Sequence, residues 1–232
     1  MLTREITSEL TVETLARMID HTVLTSDHTL QDIERACDEA VQHGFAAICL
    51  APYTVSYAAR LLRGTGVAIC GTVGIPLGYS GLPAKCLEVR TSIEGGASEI
   101  DMVINLVAMK SGRHTDVQNE IVAIRKMATG LVLKVTLESG YLSDTEKARA
   151  CKLAVEAGAD IIKTGTGFGR EATTVRDVHL LKQVAGSRAA IEAAGGIVRF
   201  QQVLDMMRAG ATRIGTSSGI DIINEFYKWE AE

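Results

Sequence analysis

One phrase recurs along the 232 residues and limits the fold more than any other feature: an apolar helical stretch ends in glycine, and a short β-like run follows at once. It is read in VQHGFAAICL, IEGGASEIDMV, VEAGADIIKTG and MRAGATRIGTS, around Gly44, Gly96, Gly158 and Gly210. A glycine past a helix end adopts the left-handed conformation that closes the last turn, so each phrase means helix, cap, strand. Four further strand-like runs lie between them, at residues 18–21, 67–73, 131–137 and 189–194. The segments separating the runs have helical spacing; Ile33, Ala36, Cys37, Ala40 and Val41 share one face, as do Ile121, Ile124 and Ala128. Strands alternating with helices throughout predict a parallel sheet with crossover helices. Eight such units in a chain of this length fit an α/β fold of the closed (β/α)8 TIM-barrel kind, with an open doubly wound sheet as the alternative. Residues 1–232 read as a single domain, with a short helical segment before the first strand. A chain of this size buries roughly 70–75% of its unfolded surface and needs no staples.

Alternation along a strand sends residues i and i+2 to the same side, so each strand divides into a helix-facing and an axis-facing set. In EIDMVIN the apolar Ile100, Met102 and Ile104 take the helix side, leaving Asp101, Val103 and Asn105 inward. In LVLKVTLE the inward set is Val132, Lys134, Thr136 and Glu138. The same rule turns Asp20, Cys49, Lys163 and Glu192 to the interior. Asp20, Cys49, Asp101, Lys134, Lys163 and Glu192 thus converge on one axis. Barrel cores are normally filled with Val, Ile and Leu, and each buried ion costs several kcal/mol unless paired. A buried ion-pair network fixing register is one explanation. A lysine nucleophile whose neighbours set its pKa is the other, and it explains why both lysines interrupt apolar strands. Cys49 is ambiguous, because a buried thiol also packs as a small hydrophobe.

Glycines and hydroxyls gather where strands end. Lys163 leads into Thr164-Gly165-Thr166-Gly167, strand 7 ends at Gly195-Gly196, and strand 8 ends at Thr216-Ser217-Ser218 before the helix-like IDIINEF. Loops after strands 7 and 8, with a helix N-terminus beyond, are the usual phosphate site of such barrels. Other classes are disfavoured. The 24 Lys+Arg and 28 Asp+Glu are interspersed and net to −4, which gives no footprint for nucleic acid, and no basic amphipathic or long apolar run points to a membrane. Five cysteines without CxxC spacing read as reduced thiols, and the chain as cytoplasmic. None of the five histidines pairs at metal-ligand spacing and no HExxH occurs, so neither a metal nor another cofactor is expected. His21, at the end of strand 1, reads as a hydrogen-bonded framework residue that could also line the site.

The motifs IDHTVL, CLAP, GIPLG, EIDMVIN, LKVTLE, KTGTGF, AAGGI and GATRIGTSSG, in this order, resemble the deoxyribose-phosphate aldolase family over about residues 19–226. The resemblance implies a metal-independent class I aldolase on a (β/α)8 barrel, acting as a homodimer or higher homo-oligomer on a small phosphorylated sugar. It would split 2-deoxyribose 5-phosphate into acetaldehyde and glyceraldehyde 3-phosphate. It further implies that Lys163 is the Schiff-base lysine and Asp101 the acid of the proton relay, supported by Lys134 and Asp20. Gly195, Gly196, Ser217 and Ser218 would cradle the phosphate; Thr164 and Gly165, by their place after strand 6, and Cys49, by its inward face, are expected near the substrate as well. Three positions depart from the pattern. Where the family carries a lysine in a phrase like KASGGIR, this chain reads EAAGGIV, with Glu192 in the lysine's place. Val198 stands where the arginine is expected, with Arg199 one residue later, and KTGTGF replaces the commoner KTSTGF. A carboxylate beside the nucleophile favours its charged form, whereas an ammonium disfavours it. Glu192 is therefore expected either to slow the reaction or to serve a different phosphorylated substrate on the same scaffold. A sugar-phosphate binder without a nucleophile is the remaining alternative, and retention of Lys163 beside Asp101 counts against it.

Overall fold

The structure, a computed structural model, describes residues 10–231. Eight parallel strands close on themselves in sequence order. They are β1 (Ile19–Val23), β2 (Ala47–Leu50), β3 (Ala68–Val73), β4 (Glu99–Val103), β5 (Val132–Thr136), β6 (Ile161–Lys163), β7 (Ala190–Ala194) and β8 (Arg213–Thr216). The last strand pairs with the first through Asp20 and Gly215, so the doubly wound alternative is excluded. Around the barrel run α1 (Val12–Ala16), α2 (Leu30–His43), α3 (Pro52–Leu61), α4 (Leu82–Gly95), α5 (Leu106–Lys110), α6 (His114–Met127), α7 (Asp144–Glu156), α8 (Val175–Ala185), α9 (Phe200–Ala209) and α10 (Gly219–Glu230). Among the described residues no helix is long and apolar enough to cross a membrane.

Local sequence explains the punctuation. Thr29, Ser143 and Thr174 cap α2, α7 and α8 through reciprocal boxes with Asp32, Glu146 and Asp177, satisfying N–H groups that the first turn leaves open. Gly44, Gly96 and Gly210 end α2, α4 and α9 in the left-handed conformation. The predicted face of α2 is buried at Ile33, Ala36, Cys37 and Ala40, while Val41, at the edge of the stripe, is exposed. The short α5 was not apparent from periodicity; Asn105 caps it by accepting from the Ala108 N–H at 3.0 Å. The apolar core lies between barrel and helices. Ile19, Ile48, Ile100, Met102, Leu133, Val135, Ile162, Ile191 and Ile214 leave the sheet outward and are fully buried there.

Candidate active site

The inward faces carry the charge, and strand register stacks it. Asp101 stands beside Lys134, Thr136 beside Lys163, Lys163 beside Glu192, and Glu192 beside Arg213. Lys163 Nζ donates to Asp101 Oδ2 at 2.7 Å and lies 3.0 Å from Glu192 Oε1. Thr136 Oγ1 donates to the other Asp101 oxygen at 2.6 Å. One layer away, Lys134 Nζ is bound to Asp20 and lies 2.8 Å from Glu99 Oε2 and 3.1 Å from Glu192 Oε2. Arg213 closes the network, donating from Nε to Asp20 Oδ1 at 2.9 Å with Nη2 3.4 Å from Glu99. Both Glu192 oxygens stand at ion-pair distance from an ammonium yet lack hydrogen-bonding alignment with it. Glu192 is thus held by charge, bridging the two lysines.

Four carboxylates meet three cations in this volume, two of which, Glu99 and Arg213, sequence reasoning missed. Glu99 shares a face with Asp101 by the same alternation, and Arg213 with Gly215, so continuing each pattern by one pair finds them. The excess negative charge settles on Asp20, whose carboxyl burial pushes up to about 6 against the pull of Lys134 and Arg213. Glu192 moves the other way: burial opposes its charge, but Lys134 and Lys163 together hold it below the ordinary carboxylate range. Burial alone would depress Lys163. Asp101 and Glu192 outweigh it and hold the ammonium well above its usual value, and Asp20 and Glu192 do the same for Lys134.

Lys163 is the charged member of this network that lines a cavity. It lies at the floor of a cavity of about 280 Å³ at the C-terminal end of the barrel, lined also by Thr22, Leu24, Thr25, His28, Thr166, Gly167, Phe168, Gly195, Gly196, Val198, Gly215, Thr216 and Ser217. Gly195 and Gly196 have φ of 103° and 79°, a conformation that glycine takes without strain, and their backbone forms the wall. Gly215 keeps the floor open, since a Cβ there would come within 2.8 Å of Glu192 Oε1.

Of the residues singled out in the sequence, Lys163, Gly195, Gly196 and Ser217 line the cavity, and Asp101, Lys134, Glu192 and Asp20 form the buried layers beneath. Four others, Cys49, Thr164, Gly165 and Ser218, lie outside its lining. Thr164 ties β6 to β7, donating to the Ala194 carbonyl and accepting from its N–H, each at 2.9 Å. Gly165 packs against Ala194 and Glu138. Ser218 borders a separate cleft with Arg199, Asp221 and Lys228. Arg199 does not replace the missing arginine, because it pairs with Glu225 at 2.7 Å while Val198 faces the cavity. His21 Nε2 lies 3.1 Å from Glu39 and burial lowers its pKa, which fits a framework role. Glu138 differs from the strand expectation: φ of 54° takes it out of the pleat, and its carboxylate faces the loop after β6 instead of the axis. Cys49 stands in register with Cys70, and their thiols gather with Asp101 within 4.8 Å, a grouping invisible in sequence spacing. A soft cation there would have to draw Asp101 away from Lys163, and the contact with Cys49, together with burial, raises the Cys70 thiol pKa.

The arrangement presents an amine, a carboxylate within hydrogen-bonding reach of it, and a glycine-walled cavity above both. Nearly the whole chain is similar to known proteins. The profile described as DeoC/LacD family aldolase matches residues 14–225. A deoxyribose-phosphate aldolase of Dictyoglomus turgidum is 48% identical over 210 residues, covering 90% of this chain and 96% of that one. One of Carboxydothermus hydrogenoformans is 45% identical over 213 residues, covering 90% and 93%. The tetrameric deoxyribose phosphate aldolase of Aeropyrum pernix superposes with a TM-score of 0.91 at 31% identity, covering 98% of this chain and 97% of that one. With the fold, the family match and this level of identity in agreement, the chain belongs to the DeoC/LacD family of aldolases.

Proposed function

We propose that the protein is a class I aldolase that cleaves 2-deoxy-D-ribose 5-phosphate to acetaldehyde and D-glyceraldehyde 3-phosphate through an imine on Lys163. The single observation that carries this reading is Lys163 at the cavity floor, 2.7 Å from Asp101. The free amine attacks the C1 aldehyde of the open-chain sugar, and loss of water leaves an iminium. Asp101, acting through water, accepts the proton of the C3 hydroxyl as the C2–C3 bond breaks. The bonding pair flows into the iminium to give an enamine, and glyceraldehyde 3-phosphate leaves. Protonation at C2 and hydrolysis of the imine then release acetaldehyde and regenerate the amine.

Lys134 and Asp20 anchor the relay from below. Gly195 and Gly196, between β7 and α9, and Ser217, between β8 and α10, are suited to the phosphate, with Ser218 beside them. The relatives that carry this activity by name support the substrate, the Aeropyrum tetramer supports a homo-oligomer, and five free cysteines suit a reducing cytoplasm. Glu192 favours a second reading, in which this carboxylate, 3.0 Å from Lys163, moves a proton for a different phosphorylated sugar. A turnover panel of phosphorylated deoxy-sugars and keto-sugars separates the two. Cleavage of deoxyribose 5-phosphate above all others is the expected outcome, and turnover of another sugar in its place would overturn it.

A further inference from the structure

The sole non-glycine residue with positive φ among those described is Glu138, with φ 54° and ψ 59°, directly after β5. An L-residue pays for that conformation and glycine does not. The position also buries a carboxyl group, 2% exposed, and burial raises its pKa. Neither cost serves the ion-pair network, which Glu138 does not join.

What offsets both costs is the loop at 164–169. The Thr166 N–H donates to Glu138 Oε1 at 2.5 Å, while the flanking Leu137 and Ser139 N–H groups donate to the carbonyls of Lys163 at 3.0 Å and Thr164 at 2.8 Å. The loop then curls back over the carboxylate. A Cβ on Gly169 would collide with Glu138 Oε2, so glycine there leaves room for the acid, whereas one on Gly165, on the other side, would lie 3.7 Å from Oε1 in ordinary contact. Between these glycines, Thr166, Gly167 and Phe168 form one wall of the cavity.

We propose that Glu138 is a positioning residue whose carboxylate holds the 164–169 loop against the cavity and thereby sets how tightly substrate is bound. The proposal rests on the reading that this cavity takes the sugar phosphate. Lys163 itself is fixed by strand pairing and by Asp101, so releasing the clamp loosens the wall more than the amine. Interactions made equally in ground and transition states appear in KM and leave kcat.

The test is steady-state kinetics on deoxyribose 5-phosphate for wild type, Glu138→Gln, Glu138→Ala and Glu138→Gly, with amide hydrogen exchange along the chain. Alanine and glycine should raise KM about tenfold, the worth of one hydrogen bond to a charged group, with a smaller change in kcat. Exchange should accelerate at 165–169 and not elsewhere. Glutamine, which keeps an acceptor oxygen, should restore wild-type behaviour. Glycine also relieves the backbone, which offsets part of the stability lost with the Thr166 hydrogen bond, and it carries the test if alanine fails to fold. Wild-type KM and exchange in the glycine variant, or a loss confined to kcat, would overturn the proposal. Absence of wild-type turnover would count against the substrate reading alone, and hydrogen exchange would then decide the role of Glu138.

Discussion

Strand β4 is gripped by a buried lysine on each side, and the two have their pKa values shifted in opposite directions. Outside the barrel, Lys85 of α4 donates to the Val103 carbonyl at 2.7 Å and to Glu120 of α6 at 2.8 Å. Inside it, Lys163 meets Asp101 of the same strand and Glu192. Burial outweighs Glu120, the one carboxylate paired with Lys85, together with the weaker pull of Glu88, and depresses the lysine's pKa, whereas Asp101 and Glu192 outweigh burial around Lys163 and raise it. Only Lys163 of the two reaches the cavity. A buried ion pair is therefore no sign of chemistry by itself. What separates the two lysines is access to a cavity and membership of an unbalanced cluster that can redistribute protons.

The sharpest way to break this comparison is to remove each lysine. Lys163→Ala should lower turnover by at least about 10³-fold while the protein stays folded, because among the described residues no other amine lies at the cavity floor to form the imine. Full activity in that variant would end the assignment. Lys85→Met should do the reverse. Stranding Glu120 should cost about 3–5 kcal/mol of stability, read from denaturant melts, with kcat of the folded protein little changed. Adding Glu120→Leu should recover most of that loss, since an apolar pair of similar volume often matches a buried ion pair. A large drop in kcat for Lys85→Met would show that the outer lysine also sets Asp101.

Glu192 sharpens the comparison from inside the cluster. The nucleophile is the free amine, and a raised Lys163 pKa means that this form is scarce at neutral pH and grows as pH rises. Wild type should thus cleave deoxyribose 5-phosphate slowly near pH 7, with an alkaline optimum. Glu192→Gln removes one of the two charges that hold the proton, and Glu192→Lys replaces it with a repelling one. The ascending limb of the pH–rate profile should move down by about 1–2 units in the first and further in the second. An efficient wild type with a neutral optimum would show that the coupled network supplies a free amine in another way. If Glu192 instead serves a different sugar, the lysine variant should lose that substrate and gain nothing on deoxyribose phosphate. The smallest expected effect is that of exhaustive chelation, which should leave turnover unchanged. Loss in EDTA that returns with a divalent metal would contradict imine catalysis and direct attention to Cys49, Cys70 and Asp101.

Much of this was legible in the sequence because it follows from periodicity. Helix, glycine and strand repeat often enough to fix a parallel barrel, and period two turns Asp101, Lys134, Lys163 and Glu192 inward. Residues at the ends of the pattern were less legible. Glu99 opens β4 and Arg213 opens β8, positions where a face assignment started one residue later leaves them out. Glu138 breaks the pleat through a positive φ that no composition rule assigns to glutamate. The pairing of Cys49 with Cys70 depends on register between two strands, which a single strand's pattern does not contain. Ser218 is itself the N-cap of α10 and borders the next cleft, a detail set by where that helix starts.

The most direct test of the central claim is borohydride reduction in the presence of deoxyribose 5-phosphate or acetaldehyde, followed by intact-mass and peptide mass spectrometry. Reduction should fix a two-carbon or sugar-phosphate adduct on Lys163 alone, with none in Lys163→Ala and none at Lys134 or Lys85. An unchanged mass during active turnover, or an adduct on another lysine, would contradict the account.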